Sequence, residues 1–220
     1  MNRTTSSTEG GVLDNPRTVT AADSVEFGAL VAGGFHIETY TGAYLDLAAP
    51  DPADVRLADV AHGLAHICRG AGQTKRFHSV AEHAVIVSTR LREIDSPSRI
   101  VLAGLHHDDP EAYLGDVTRP LKHLLPAYSE LEANMWEAVR VALDLGECDI
   151  TDPRVKQADR WALAAENHHL RNSRGRTWFC AGEYSPDTHP MTLGLPPQIA
   201  EARWLTEHER IVGDLALEAR

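Results

Sequence analysis

The chain has 220 residues, of which 43% are hydrophobic and 24% charged, as expected for one globular domain. Its formal net charge of −11 argues against broad phosphate contact with nucleic acid but allows a local basic pocket. The sequence contains neither an apolar run of the roughly 18 residues that span a membrane nor the apolar core of a secretory signal. Because its three cysteines are widely spaced, we expect reduced thiols and a cytoplasmic protein without membrane contacts.

The first part of the chain predicts an extension, a hairpin and a helix. Residues 1–33 are rich in Thr, Ser, Gly and Asp and predict a flexible N-terminal extension, which leaves 34–220 as the domain. Residues 35–47 alternate in polarity around a Thr-Gly pair, which predicts a small surface hairpin. Helical spacing and a terminal glycine then predict a helix through Leu57, Val60, Leu64 and Ile67, with Gly70 just past its end.

The remaining elements are all predicted to be helices. Ser79 and Glu82 form the capping-box pattern of a second helix, and His83 lies on its apolar face, so the imidazole points inward. Ser129 and Glu132 repeat the capping-box pattern. The expected bounds of the later helices are 96–108, 109–115, 129–146, 152–170 and 197–216. The sequence therefore predicts an all-α fold with a small β-hairpin and a C-terminal helix.

Three inward-facing helical positions carry metal-binding side chains: His83, the His107-Asp108 pair and Asp159. A buried histidine or aspartate is unfavourable unless it is paired or metal-bound. Adjacent residues project about 100° apart on a helix, so His107 and Asp108 reach one ion only near a helix end. The break at Asp109-Pro110 supplies that end. These four residues predict a site for a divalent metal, and their imidazoles and carboxylates leave zinc, manganese, iron and cobalt open.

The motifs SVAEH at 79–83, LHHDDPEAYLGD at 105–116 and VKQAD at 155–159 resemble those of the HD-domain metal-dependent phosphohydrolases. The resemblance covers about residues 35–165 and is closest to the bacterial 5′-deoxynucleotidases and phage deoxynucleoside triphosphate triphosphohydrolases. It implies an HD-domain helical bundle that forms a homo-oligomer, either a dimer or a hexamer. It also implies an enzyme that releases deoxynucleoside from a deoxynucleoside triphosphate (dNTP), the first choice, or from a monophosphate (dNMP).

Carried over to this chain, the resemblance implies one divalent ion on His83, His107, Asp108 and Asp159. Zinc, cobalt or manganese would be preferred, and magnesium or iron stays open. Glu111 would activate or steer the attacking water, and Asp116 would position water or the sugar. Arg69 would contact the phosphate or sugar. Lys122 and Lys156 match positions that hold phosphate oxygens in triphosphate-cleaving relatives. This agrees with general chemistry, because a metal lowers the pKa of bound water and a nearby carboxylate can accept its proton.

Three residues bear on how closely the chain follows this family. His123 is the only histidine between Asp108 and Asp159, whereas HD proteins with two metals typically have two more there, so one metal is expected. Gly70 stands where relatives often carry a bulky or aromatic residue, which leaves the base preference open. Asp109 stands where a small residue is usual and would add negative charge near the metal.

Several of these residues also have simpler structural explanations. Glu111 could be a first-turn helix acid, Asp116 a turn residue and Arg69 a helix C-terminal cation. His62 and His66 have the i, i+4 spacing of a zinc pair, but no catalytic glutamate lies between them, so ordinary histidines are expected.

A catalytically silent, nucleotide-binding regulatory HD protein is the alternative of a different class. A nuclease is a third hypothesis, and the acidic charge disfavours it.

Overall fold

The computed structural model describes residues 34–146, 148–174, 176, 178–185, 191 and 193–220. The extension expected at 1–33 lies outside the described residues. Residues Ile37–Arg220 form one compact unit. In the described part of the chain, no helix has the length and apolarity needed to cross a bilayer.

Two short strands and a set of helices make up the described fold. Strands β1 (His36–Glu38) and β2 (Tyr44–Asp46) pair as an antiparallel hairpin. The helices are α1 (Leu57–His66), α2 (Val80–Glu93), α3 (Ser98–His106), α4 (Glu111–Leu114), α5 (Arg119–Lys122), α6 (Tyr128–Ala142), α7 (Pro153–Leu170) and α8 (Pro197–Glu218). A single 3-10 turn lies at Pro52–Asp54, and Arg69–Gly72 forms a tight turn in which Gly70 and Ala71 have positive φ angles. The predicted helical fold with a small hairpin and a C-terminal helix is confirmed.

Helix α2 lies in the core and packs against α1, α3, α7 and α8. Val87 and Leu91 on its apolar face are completely buried, and each contributes roughly 1.5–3 kcal/mol relative to an exposed side chain. A Cβ atom at Gly104 of α3 would lie 2.2 Å from Leu91 Cδ1, so a side chain there would force the buried Leu91 to shift. The contact fixes the end of α3, where His107 and Asp108 follow, next to α2.

The capping box predicted for α2 is only half formed. Ser79 Oγ accepts a hydrogen bond from the Glu82 backbone N–H at 3.1 Å, so Ser79 is the N-cap residue. The Glu82 carboxylate instead accepts from the backbone N–H groups of Gly194 and Leu195, at 2.9 and 3.1 Å. Glu82 therefore anchors the segment before α8 to the start of α2.

Helix α1 ends earlier than predicted, at His66 rather than next to Gly70. Beyond it, Cys68 pairs with Ser79 in an isolated bridge, and the Arg69 N–H donates to the His78 carbonyl at 2.8 Å. Because the backbone of residues 68 and 69 pairs with residues 78 and 79 in an extended conformation, it cannot continue the hydrogen bonds of α1. They direct Arg69 toward the start of α2 rather than leaving it on a helix end.

The second predicted capping box is wrong. Helix α6 begins at Tyr128, so Ser129 lies inside the helix and makes no cap. The Tyr128 hydroxyl donates to the Gly115 carbonyl at 2.9 Å, which ties the start of α6 to the end of α4. The Glu132 carboxylate accepts from Lys122 Nζ at 2.5 Å rather than folding back on its own helix.

Candidate metal centre and active site

Three helices bring the four predicted metal ligands together. His83 lies in the second turn of α2, His107 and Asp108 directly follow α3, and Asp159 lies in the second turn of α7. One potential ligand atom from each of His83, His107 and Asp159 lies within 4.8 Å of the other two. Asp108 Oδ2 lies 3.7 Å from His83 Nε2 and 3.3 Å from His107 Nε2. Two imidazoles and two carboxylates thus face one small volume.

The hydrogen bonds of both imidazoles orient Nε2 toward this volume. His83 Nδ1 lies 2.6 Å from Glu166 Oε1, and His107 Nδ1 lies 2.8 Å from the Gly104 carbonyl oxygen. Because both partners accept, the N–H of each neutral ring belongs at Nδ1. Both Nε2 atoms are buried and have no hydrogen-bond partner among the described residues. A divalent ion would satisfy both nitrogens at once, so the residues fit the metal that the motifs imply.

Charges within the cluster shift the titration of its members. Burial and the Arg69 charge lower the pKa of His83, but Glu166 and Asp159 outweigh them and raise it to about 10, so a metal that binds Nε2 must displace a proton from it. Burial alone would raise the pKa of Asp159, yet His83 beside it lowers that pKa below its usual range. In the same way, His107 and Arg69 overcome burial and lower the pKa of Asp108. The two carboxylates are therefore anionic at neutral pH, as cation binding requires.

Glu111, the predicted water-activating residue, opens the short helix α4 beside the cluster. Its side chain is buried, and its Oε2 has no hydrogen-bond partner among the described residues. Lys122 Nζ lies 3.5 Å from Glu111 Oε1, and Arg69 Nη1 lies 3.8 Å from Glu111 Oε2. Burial and the neighbouring Asp108 charge raise the pKa of Glu111 well above its usual value. A raised pKa makes this carboxylate a stronger base, which suits proton acceptance.

Arg69 and Asp116 meet at the loop that enters the site. Arg69 Nη1 donates to Asp108 Oδ2 at 3.1 Å, and the Gly70 backbone N–H donates to Asp116 Oδ2 at 2.5 Å. Gly70 has a φ of +61°, and a Cβ atom there would lie 2.2 Å from Arg171 Nη2. The space that a side chain at position 70 would take is thus occupied by the guanidinium of Arg171.

A cavity of about 340 Å³ opens next to the cluster. Asp108, Glu111 and Asp159 line one part of it. Other lining residues are the cationic Arg69, Arg119, Lys122 and Arg171, and the exposed aromatic Trp178 and Phe179. The Arg119 guanidinium lies 5.1 Å from the Phe179 ring centroid, and that of Arg171 lies 5.7 Å from the Trp178 ring centroid. The cavity therefore combines carboxylates, cations and aromatic faces.

Lys156, also predicted to bind phosphate, does not reach this cavity. It is exposed and lies one turn before Asp159 on α7. Its side chain lines a separate cavity together with Arg90 and Trp161. The structure thus brings Lys122 to the candidate active site but not Lys156.

Asp109 belongs to a separate buried network rather than to the ligand cluster. Its Oδ2 lies 2.5 Å from His106 Nδ1, and His106 Nε2 lies 2.9 Å from His208 Nδ1. Burial raises the pKa of Asp109, because His106 offsets the desolvation only in part. The negative charge that Asp109 was expected to add near the metal is therefore reduced, because the carboxylate pairs with His106 and burial favours its neutral form.

Comparison with known proteins gives a family but no activity. Over 142 residues, 64% of this chain, the sequence is 34% identical to the uncharacterized protein YfdR of Escherichia coli (strain K12) and covers 76% of it. The chain belongs to the YfdR family. It is also 38% identical over 110 residues to an uncharacterized protein of Rhodobacter capsulatus, covering 48% of this chain and 56% of that protein. No family model matches the chain.

Glu166 is the main site residue that the sequence analysis missed. It is buried, and its carboxylate contacts both His78 Nε2 at 3.0 Å and His83 Nδ1 at 2.6 Å. A signal was present, because Glu166 lies seven residues after Asp159 and so falls on the same face of α7. Arg119, Arg171, Trp178 and Phe179 gave no comparable signal, since tertiary packing alone brings them to the cavity.

Proposed function

We propose that this protein is a metal-dependent phosphohydrolase of the HD-domain type that acts on deoxynucleotides. The observation that carries the proposal is the pair of imidazoles of His83 and His107, whose Nε2 atoms are both buried. Their Nε2 atoms face Asp108 and Asp159, while acceptors hold both Nδ1 atoms. This donor set suits a divalent transition metal.

His83, His107, Asp108 and Asp159 would hold the ion. When bound, a divalent metal supplies Lewis acidity toward a phosphoryl oxygen and toward water. Glu111 is the residue best suited to accept or steer the proton of the attacking water, because it is buried beside the cluster and its Oε2 has no hydrogen-bond partner among the described residues. Its raised pKa favours proton uptake.

The lining of the cavity supports a nucleotide substrate. Its volume of about 340 Å³ falls within the usual range of small-molecule pockets. Arg69 and Lys122 can offset phosphate charge near the cluster, and the faces of Trp178 and Phe179 suit a base. Lys156 does not strengthen the case for a triphosphate, but Arg119 and Arg171 add cations to the same cavity. We therefore keep the dNTP as the first choice and the dNMP as the second.

The test is nucleoside release, measured by chromatography, from each dNTP, each dNMP and the matching ribonucleotides. The protein would first be stripped of metal and then supplied with zinc, cobalt, manganese or magnesium. Release from dNTPs alone would identify a triphosphohydrolase, and release from dNMPs alone a 5′-nucleotidase. Asp108→Asn serves as the control that lacks a ligand and should be inactive. Nucleotide binding without release under any metal would overturn catalysis in favour of the silent regulatory alternative.

A further inference from the structure

We infer a second divalent-metal site, formed by His62 and His66 of α1 and Glu201 of α8. One potential ligand atom from each of the three residues lies within 4.8 Å of the other two. His62 Nδ1 lies 3.2 Å from Glu201 Oε2, which joins the two helices. This site goes beyond the proposed function, because none of its members belongs to the metal centre or lines the adjoining cavity.

The chemistry of the three residues suits zinc or a similar transition metal. His66 Nδ1 lies 2.8 Å from the His62 carbonyl oxygen, so its N–H is donated there and the lone pair of Nε2 is available. The Glu201 carboxylate supplies an anionic ligand. Two imidazoles and one carboxylate match the ligand set of zinc sites that keep an open position.

Accessibility and ring packing favour ion capture. Tyr40 stacks on the His62 ring at 3.7 Å and 6°, which fixes that ring beside Glu201. His66 stacks on His62 at 4.0 Å but is exposed, so its side chain can adjust toward the other two ligands. Ligand atoms around tetrahedral zinc lie about 3.4 Å apart, so a movement that closes the cluster by at most about 1.4 Å is enough.

An ion here would tie α1 to α8 close to the candidate active site. His66 is the last residue of α1, and Arg69 follows three positions later. Because Arg69 donates to Asp108, the second ion would fix the helix end from which Arg69 enters the site.

The experiment compares the zinc content of three proteins. Wild type, His66→Gln and His123→Gln would be dialysed to equilibrium against micromolar Zn²⁺ near neutral pH, and bound zinc would be measured by mass spectrometry. His123 is an exposed histidine outside the cluster, so its variant controls for the loss of one imidazole. We expect two ions per chain in wild type and His123→Gln, and one in His66→Gln. Added zinc should also raise the melting temperature of wild type more than that of His66→Gln.

The outcomes separate this site from the proposed metal centre. One ion in wild type and none in His66→Gln would support the second site and argue against the first. Equal zinc content in wild type and His66→Gln would overturn the second site, whatever the activity of the protein. Glu201→Gln provides an independent check that leaves both histidines intact. It should bind the second ion at least tenfold more weakly.

Discussion

His83 Nδ1 lies 2.6 Å from Glu166 Oε1, and both side chains are buried. Glu166 lies two turns after Asp159 on α7, so one helix supplies both a candidate ligand and the group that orients a second ligand on α2. The pairing keeps the His83 proton on Nδ1 and leaves Nε2 for the metal. His83 and His78 lower the pKa of Glu166 well below its usual value despite burial, so this carboxylate is ionised near neutral pH.

Glu166→Gln should weaken metal binding by about 10–100-fold, because the neutral amide no longer orients the His83 ring as strongly or raises its basicity. Zinc affinity measured by competition with a chelator tests this. Glu137→Gln is a suitable control, since Glu137 is an exposed residue that pairs with Arg140 on α6. Equal zinc affinity in both variants would contradict the positioning role of Glu166.

Glu111→Gln should lower nucleoside release by roughly 10²–10⁴-fold with unchanged metal content, since only the proton acceptor is removed. Steady-state kinetics and metal analysis measure the two effects separately. Glu132→Gln makes a matched control, because Glu132 also contacts Lys122 but does not line the cavity. Full activity in Glu111→Gln would rule out the proposed role.

The neighbouring aspartates Asp108 and Asp109 should behave differently. Asp108→Asn should lose most of its bound metal, because one anionic ligand is removed. Asp109→Asn should keep the metal and lose about 1–3 kcal/mol of stability, because its buried bond to His106 is altered. Metal content and urea unfolding of both variants test this. Loss of metal in Asp109→Asn would mean that this residue acts on the metal centre after all.

Acid should destabilise the protein partly through His208. Burial and the nearby His106 lower the pKa of His208 to about 4, whereas an exposed imidazole titrates near 6.5. Between these values the unfolded chain binds more protons, so the free energy of unfolding falls as the pH falls from about 6.5 toward 4. His208→Gln removes this contribution, so its stability should decline less than that of wild type between about pH 7 and about pH 5. Urea unfolding at both pH values measures the decline in stability of each protein. The control variant His123→Gln should lose as much stability as wild type.

Gly70→Ala should both strain the backbone and displace Arg171 from the cavity wall. Gly72→Ala separates the two effects, because Gly72 also has a positive φ of +73° but has nothing within 4 Å of its would-be Cβ. Both variants should lose about 1 kcal/mol or more of stability. Only Gly70→Ala should raise the KM for the nucleotide several-fold. An unchanged KM in Gly70→Ala would show that Arg171 does not contribute to substrate binding.

Local sequence patterns predicted a helix end correctly where the capping side chain lies next to that end in the sequence. Asp152 accepts from the Arg154 N–H at 2.8 Å, and α7 begins as expected at Pro153. Ser129 had the same kind of signal and failed, because Glu132 pairs with Lys122 instead. A capping box competes with any nearby cation, and the sequence alone does not show which partner is near.

The sequence by itself determined the helical class, the hairpin and the identity of the four candidate ligands. Helical periodicity and the break at Asp109-Pro110 are local properties, so they can be read without a fold. Only the tertiary structure decided that Glu166 orients His83, that Asp109 binds His106 and that Lys156 lies outside the cavity. These outcomes depend on how separate helices pack, and sequence spacing does not encode the distance between side chains on different helices.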